Sequence, residues 1–171
     1  MSDSGSRCGA LLRKQPGLKV ILLADGAPEL WKLLTGSLNA QTLGVPVRQL
    51  VDLWHLLEKL GSAARLLYGE THGCTVLHGW RLRLLNRTGS VAEILHELRA
   101  SGKAQMAVGT SRPVHEAITY LENHQTRMNY AAARRRGFPV GSGNVEATCK
   151  RLVAVRMKRP GARCKEETGE H

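Results

Sequence analysis

Residues 19–26 read KVILLADG and give the clearest fold signal in the chain. A continuous apolar run bounded by turn-forming residues predicts a buried strand of a parallel sheet over residues 19–24. The run ends abruptly at Asp25, and Pro28 suits the first position of a helix that apolar spacing continues to about Thr35. This order of strand, turn and helix indicates an α/β fold.

A second strand is predicted at Val45–Val51, and it also ends in an aspartate, Asp52. The helix after it is predicted to run from about Leu53 to Tyr68, because its leucines keep helical spacing. In open α/β sheets, ligands bind at the carboxyl ends of the strands. Asp25 and Asp52 both fall at such an end, so both are candidates for a functional site.

The chain from residue 70 to residue 136 is predicted to be helical. Short helices are expected at 80–85 and at 91–99, and a long helix is expected from Ser111-Arg-Pro113 to about Arg135. The predicted fold is therefore an α-rich α/β chain with two parallel strands and a long helical insertion.

The tryptophans and histidines offer weaker signals. Trp31 and Trp54 sit among apolar residues, so both are predicted to lie in the core rather than to stack on bases. Five scattered histidines are predicted to be surface or helix residues rather than metal ligands. They are His72, His78, His96, His115 and His124.

Residues 137–161, GFPVGSGNVEATCKRLVAVRMKRPG, join a glycine-rich loop to a basic helix. The turn formers give way at Asn144, and helical spacing predicts a helix from there to about Lys158. Glu146 lies in its first turn, where an acid suits the helix dipole and can pair with Lys150, so a structural role stays open. No Gly-Lys-Ser/Thr follows the glycines, which disfavours a P-loop.

The charge balance points to a polyanionic partner. The chain carries 25 Lys plus Arg against 14 Asp plus Glu, a net charge of +11. DNA is the first candidate, although a basic surface that only aids solubility stays open. We expect one DNA-binding surface from the residues that close the long helix and line the basic helix. They are Arg134, Arg135, Arg136, Lys150, Arg151, Arg156, Lys158 and Arg159.

Other classes are disfavoured by composition. The four cysteines form no C-x-x-C pair, which argues against a zinc knuckle or a disulfide framework. The opening residues, MSDSGSRCGA, lack the apolar stretch of a signal peptide, and no apolar run in the sequence is long enough to span a bilayer. We expect a cytoplasmic protein with no membrane partner.

Asp25 and Glu146 come from distant segments and together suit a divalent-metal site. Hard oxygen ligands favour Mg²⁺, and two such ions can activate a nucleophile and stabilise a leaving oxygen in phosphoryl transfer. Asp52 and His55 form a D-x-x-H unit, for which helix capping by Asp52 is the competing structural interpretation. Zinc is disfavoured, because no nearby cysteine completes a tetrahedral set.

Three segments carry a family resemblance. They are ADGAPELW (24–31), VDLWHLLEKLGSAA (51–64) and NHQTRMNYAAARRRGFPVGSGNVEATCKRLVAVRMKRPGAR (123–163). They resemble bacterial insertion-sequence transposases of the Kra type, which are related to the Mutator-like transposases with an RNase H-like core. The third segment is the most specific, since its loop, acid and basic helix fall in the family's order.

The resemblance covers most of residues 18–163 and implies a DDE-type nucleotidyl transferase with Mg²⁺ as cofactor. Asp25 would match the second catalytic aspartate and Glu146 the catalytic glutamate, both as metal ligands. Asp52 and His55 match the D-x-x-H unit that accompanies this core. The implied parts are a frayed start (1–17), a partial RNase H-like core (18–69), a helical insertion (70–136), the glycine loop with the glutamate helix (137–160) and a tail (161–171).

Two features depart from the family. Its first catalytic aspartate lies on a strand before the one at 19–24, whereas here only Asp3, in a polar start, precedes that strand. The family continues past the basic helix with apolar helix, whereas this chain turns to CKEETGEH. We therefore expect an internal piece of a transposase that is inactive alone, with a strand edge that favours a homo-oligomer. The alternatives are a non-catalytic DNA-binding remnant and a helical cytosolic protein without a nucleic-acid role.

Overall fold

Two short strands pair in parallel, as the sequence predicts. The computed structural model describes residues 19–142, in which β1 spans Val20–Ala24 and β2 spans Val47–Val51. The register pairs the first residues of the two strands with each other and likewise the last. β2 begins at Val47 rather than at Val45 because Pro46 comes directly before it and has no N–H to donate. An α-rich chain with a two-stranded parallel sheet is thereby confirmed.

Helices form most of the remaining described chain. They are α1 (Pro28–Ser37), α2 (Ala40–Leu43), α3 (Leu53–Asn86), α4 (Ser90–Ala100), α5 (Pro113–His124) and α6 (Tyr130–Arg135), with a 3₁₀ turn at Gln125–Arg127. α1 begins at the predicted proline, and α4 extends the helix predicted at 91–99 by one residue at each end. α2 has no counterpart in the prediction. Asn39 caps it by accepting a hydrogen bond from the Thr42 N–H at 2.8 Å.

α3 is a helical hairpin rather than a straight rod. Gly69, with φ 78° and ψ 175°, breaks the helix between an arm at 53–68 and an arm at 70–86. The second arm returns along the first, because a Cβ at Gly73 would lie 2.9 Å from the carbonyl oxygen of Ala64. Nine residues of straight helix would instead separate these positions by about 13 Å.

Two predicted helix lengths are wrong. The helix predicted at 80–85 is the end of the second arm of α3, which also contains the preceding turns. The long helix predicted over 111–135 is interrupted after His124, where the 3₁₀ turn intervenes. The interruption has a physical cause, because the Asn129 side chain accepts from the Ala132 N–H at 3.1 Å and so caps a new helix, α6.

One hydrophobic core joins the sheet to the helices that follow it. Leu50 of β2, Leu56 of α3, Ile94 of α4 and Leu121 of α5 are all buried in this core. All described residues except Ser142 belong to one compact unit. A two-stranded sheet is marginal by itself, so the helices supply the packing that stabilises it. Within residues 19–142, none of the helices combines the length and the apolar character that crossing a bilayer requires.

Replacing Gly73 with alanine should destabilise the fold. The new methyl group would meet the Ala64 carbonyl oxygen at 2.9 Å, and overpacking against fixed backbone costs about 1–3 kcal/mol. Urea denaturation should therefore show a lower free energy of unfolding for Gly73→Ala.

Gly79 is the matched control on the same arm, because a Cβ there would meet nothing within 4 Å. Gly79→Ala should raise the free energy of unfolding by about 0.5–1 kcal/mol, since alanine favours a helix over glycine. A shift of the same sign and size for both substitutions would contradict the close packing of the two arms.

Candidate functional site

Asp25 and Asp52 each follow the last paired residue of a strand. The register pairs Ala24 with Val51, and the Asp52 N–H donates to the Ala24 carbonyl oxygen at 2.8 Å. Because neighbouring strands lie about 4.8 Å apart, the two aspartates leave the same end of the sheet next to each other. The sheet thus brings together the two strand-end carboxylates that the sequence singles out.

The turn after β1 is shaped closely around Asp25. The side chain of Asp25 is exposed, and its Oδ1 accepts a hydrogen bond from the Ala27 N–H at 3.0 Å. Gly26 has a φ of 104°, and a Cβ there would lie 3.0 Å from both the Tyr120 hydroxyl and His124 Nε2. Glycine is therefore required at this position, both for its backbone conformation and for the space.

Tyr120 of α5 fixes the backbone of this turn. Its hydroxyl donates to the Asp25 carbonyl oxygen at 2.5 Å, and its ring meets His124 edge to face with centroids 4.9 Å apart. Burial, and then the negative charges of Asp25 and Asp52, raise the pKa of Tyr120. The hydroxyl therefore stays protonated at neutral pH and keeps its role as a donor.

Asp52 caps α3 from a buried position. Only 2% of the residue is exposed, and its Oδ1 accepts from the Trp54 N–H at 2.8 Å. This confirms the capping interpretation of the D-x-x-H unit. His55 lies one turn further on, and its Nδ1 is 3.4 Å from Glu58 Oε2. His55 and Asp25 both line one surface cleft. The D-x-x-H unit therefore joins the end of β2 to α3 and places a histidine in the wall of this cleft.

The first residues of the glycine-rich loop pack against Asp52 and the start of α3. The Leu53 N–H donates to the Val140 carbonyl oxygen at 3.0 Å. A Cβ at Gly141 would lie 2.8 Å from Trp54 Cδ1 and 3.2 Å from Asp52 Oδ1. The prediction that Trp54 is a core residue is wrong, because it is 54% exposed and packs against this surface loop.

Glu146 and the basic helix lie outside the described residues. The predicted approach of Glu146 to Asp25 therefore stays a prediction. The same is true of the DNA contacts predicted for Lys150, Arg151, Arg156, Lys158 and Arg159.

The arginine triplet 134–136 lies within the described residues, at the end of α6. All three residues are exposed. Arg134 donates to the Asn86 side-chain oxygen at 2.9 Å, and Arg135 donates to the Ala131 carbonyl oxygen at 3.3 Å. The triplet thus forms a local basic patch held against the helices, which is the part of the predicted DNA-binding surface that the described residues contain.

A cleft of about 710 Å³ opens beside Asp25. Its walls come from three helices and contain Trp31 and Lys32 of α1, His55 and Lys59 of α3, and Tyr120 and His124 of α5. Trp31 is only 4% exposed, which confirms the prediction that it is a core residue. The guanidinium of Arg127 lies 4.7 Å from the centre of the Trp31 ring. The cleft is therefore lined by both apolar and charged side chains.

Tyr120 and His124 are site residues that the sequence prediction missed. The prediction that His124 is a surface or helix residue is confirmed, since it ends α5, and its side chain is partly buried against the strand-end turn. Burial, and then the positive charge of Arg127, lower the pKa of His124, which favours its neutral form. The helical i,i+4 spacing of the two residues places them on one face, but only the fold shows that this face meets Asp25.

The carboxylate chemistry at Asp25 fits Mg²⁺. Asp25 Oδ2 has no hydrogen-bond partner among residues 19–142, and Mg²⁺ keeps several waters while taking one or two protein carboxylates. Within that range, no group of three His, Cys, Asp or Glu side chains is placed to hold a metal. The resemblance implies Asp25 as one ligand of such an ion and Glu146 as the second.

The chain matches no protein-family model, no curated protein and no solved structure. Its class therefore rests on geometry, as an α-rich α/β protein with a two-stranded parallel sheet. Its candidate site is a pair of strand-end aspartates, one exposed and one buried, beside an open cleft.

Tyr120→Phe should destabilise the protein by about 0.5–1.5 kcal/mol, because it removes the hydrogen bond from its hydroxyl to the Asp25 carbonyl. Tyr68→Phe is the matched control, since Tyr68 is 42% exposed and its hydroxyl has no hydrogen bond among the described residues. Thermal or urea unfolding measures both variants. Equal stability of the two would show that the Tyr120 hydroxyl does not hold the turn.

Proposed function

We propose that this chain is a transposase-derived protein of the DDE type, built on part of an RNase H-like core. At the family level its role is DNA strand cleavage and transfer during insertion-sequence transposition, in the bacterial cytoplasm at the nucleoid. The observation that carries the proposal is the meeting of Asp25, Asp52 and the start of the glycine loop at one end of the sheet. The closeness of these three segments, which are far apart in sequence, supports the proposal.

Asp25 carries the central role in this proposal. Bound Mg²⁺ would supply Lewis-acid stabilisation of the phosphodiester and an activated nucleophile. Asp25 offers an exposed carboxylate oxygen toward the cleft, while Ala27 and Tyr120 hold its other oxygen and its backbone. Asp52 has a structural role in this proposal, because its carboxylate accepts the hydrogen bond that caps α3.

The chain offers Asp25 and Glu146 of the three metal-binding carboxylates that the resemblance implies. Mg²⁺ gives up its waters reluctantly, so few protein ligands hold it weakly in the absence of substrate. We therefore propose that the chain binds Mg²⁺ weakly and does not cleave DNA by itself. Robust Mg²⁺-dependent nicking of supercoiled plasmid by the 171-residue chain would overturn this part of the proposal.

Asp25→Asn should weaken Mg²⁺ binding at least about tenfold, because even the loss of a second-shell partner costs about that much at metal sites. The variant keeps the shape of the side chain and its hydrogen bond to the Ala27 N–H. Calorimetric titration measures the affinity, and duplex binding with and without Mg²⁺ at constant ionic strength measures the coupling to DNA.

Glu29→Gln is the control. Glu29 is an exposed acid in the first turn of α1, so its replacement removes the same charge close to Asp25 without touching that residue. We expect Mg²⁺ to tighten DNA binding by the Glu29→Gln variant and the unsubstituted chain, and not by Asp25→Asn. An unchanged Mg²⁺ affinity in Asp25→Asn would refute the assignment of this residue as a ligand.

A non-catalytic DNA-binding protein is the second candidate, and the exposed arginine triplet favours it. Its binding would rest on phosphate contacts, which release counterions and make affinity fall steeply with salt. Both candidates share this surface, and only the first requires the effect of Mg²⁺ at Asp25.

Replacing Arg134, Arg135 and Arg136 with glutamine should flatten the salt dependence of DNA binding. Each phosphate contact adds about 0.9 to the slope of log K against log salt, so the slope should fall by up to about 2.7. Fluorescence anisotropy with a labelled duplex measures it. The control removes three charges elsewhere by replacing Arg65, Arg81 and Lys103 with glutamine. An equal loss of slope in both triple variants would mean that net charge, and not this patch, drives binding.

A further inference from the structure

The cleft beside Asp25 lies where ligands of α/β sheets bind. It borders the turn that follows β1 and is walled by the helices after both strands. Its volume of about 710 Å³ falls within the range of small-molecule pockets. The position and size of the cleft argue for a ligand larger than a metal ion.

The three Lys and Arg side chains that line the cleft differ in what they already bind. Lys59 pairs with Glu116 at 3.1 Å, and Arg127 donates to Gln49 at 2.7 Å while lying over Trp31. Lys32 lines the cleft with an exposed side chain whose ammonium has no hydrogen bond or ion pair among residues 19–142. Lys32 is therefore the cation that is available to a ligand.

The charges in the cleft are of both signs, and this restricts the ligand. Asp25 and Glu58 line the same cleft as Lys32, so the cleft offers carboxylates to a cation and an ammonium to an anion. A phosphate group that arrives with a divalent cation suits both, because the cation can lie at Asp25 and the phosphate oxygens can accept from the ammonium. The Asn123 amide and the Tyr120 and His124 rings leave polar and aromatic surface for the rest of such a ligand.

We propose that this cleft binds one deoxynucleotide unit of a DNA strand, with its phosphate held between Lys32 and a divalent cation at Asp25. The proposal rests on the nucleotidyl-transferase function argued above and assigns Lys32 as the phosphate contact. The base and sugar of that unit lie toward Asn123 and the aromatic rings, and no bond is made or broken by Lys32.

The test uses the full chain and a fluorescent ligand, 2-aminopurine deoxyribonucleoside 5′-monophosphate, followed by anisotropy in Mg²⁺. Lys32→Gln should weaken its binding at least about tenfold, the loss expected for a charge-assisted hydrogen bond. Lys103→Gln is the matched control, because Lys103 is an exposed lysine outside the cleft. It should leave the affinity unchanged.

Two further ligands separate recognition of phosphate from recognition of a nucleotide. The 2-aminopurine deoxyribonucleoside without phosphate should bind much more weakly than the monophosphate, and inorganic phosphate should compete poorly with it. Equal binding of the nucleoside and the nucleotide would overturn the role of Lys32. Equal competition by phosphate and by unlabelled deoxynucleotide would overturn the assignment of a nucleotide.

Failure of this inference can be distinguished from failure of the proposed function. If Lys32→Gln binds the nucleotide as the unsubstituted chain does, while Asp25→Asn has lost Mg²⁺ affinity, the nucleotide site is refuted and the metal site is supported. If Asp25→Asn keeps the full Mg²⁺ affinity, both the proposed function and the cation-bridged nucleotide are refuted. Lys32 is exposed, so its replacement does not threaten the fold, and a thermal melt of each variant verifies this.

Discussion

The parallel pairing of β1 with β2 is the interaction on which the rest of the structure depends. Its register ends with Ala24 beside Val51, and the hydrogen bond from the Asp52 N–H to the Ala24 carbonyl continues the ladder by one residue. Parallel pairing puts Asp25 and Asp52 at the same end of the sheet, and this register sets them level with each other. A shift by one residue would reverse the faces of one strand and bury polar atoms in the core.

The helices make this small sheet stable and also complete the site. α5 packs on α3 and places Tyr120 on the carbonyl of Asp25, so a helix remote in sequence controls the position of the exposed carboxylate. Side chains of the helices between residues 70 and 136 lie in the same hydrophobic core as side chains of the two strands, so these helices and the sheet pack as one unit. A change in the packing of α5 would reach Asp25 through the hydrogen bond of Tyr120 and through the contact of His124 with Gly26.

The local parts of this fold could be predicted from the sequence, whereas the tertiary parts could not. The strand at 19–24 and the capping role of Asp52 follow from an apolar run, a turn and a polar residue before a helix, all within a few residues. The hairpin at Gly69 could not be predicted, because a lone glycine also occurs inside straight helices. Tyr120 was missed because its role depends on a contact with Asp25 across 95 residues of chain.

Paramagnetic broadening by Mn²⁺ in the amide NMR spectrum of the full chain tests the central claim most directly, because Mn²⁺ accepts the same oxygen ligands as Mg²⁺. If a metal site lies at the carboxyl end of the sheet, trace Mn²⁺ should first broaden the amide signals of residues 25–27 and 52–54, while the signals of α4 stay sharp. Broadening that begins at the acidic residues of α4, or that spreads evenly over the chain, would contradict the account.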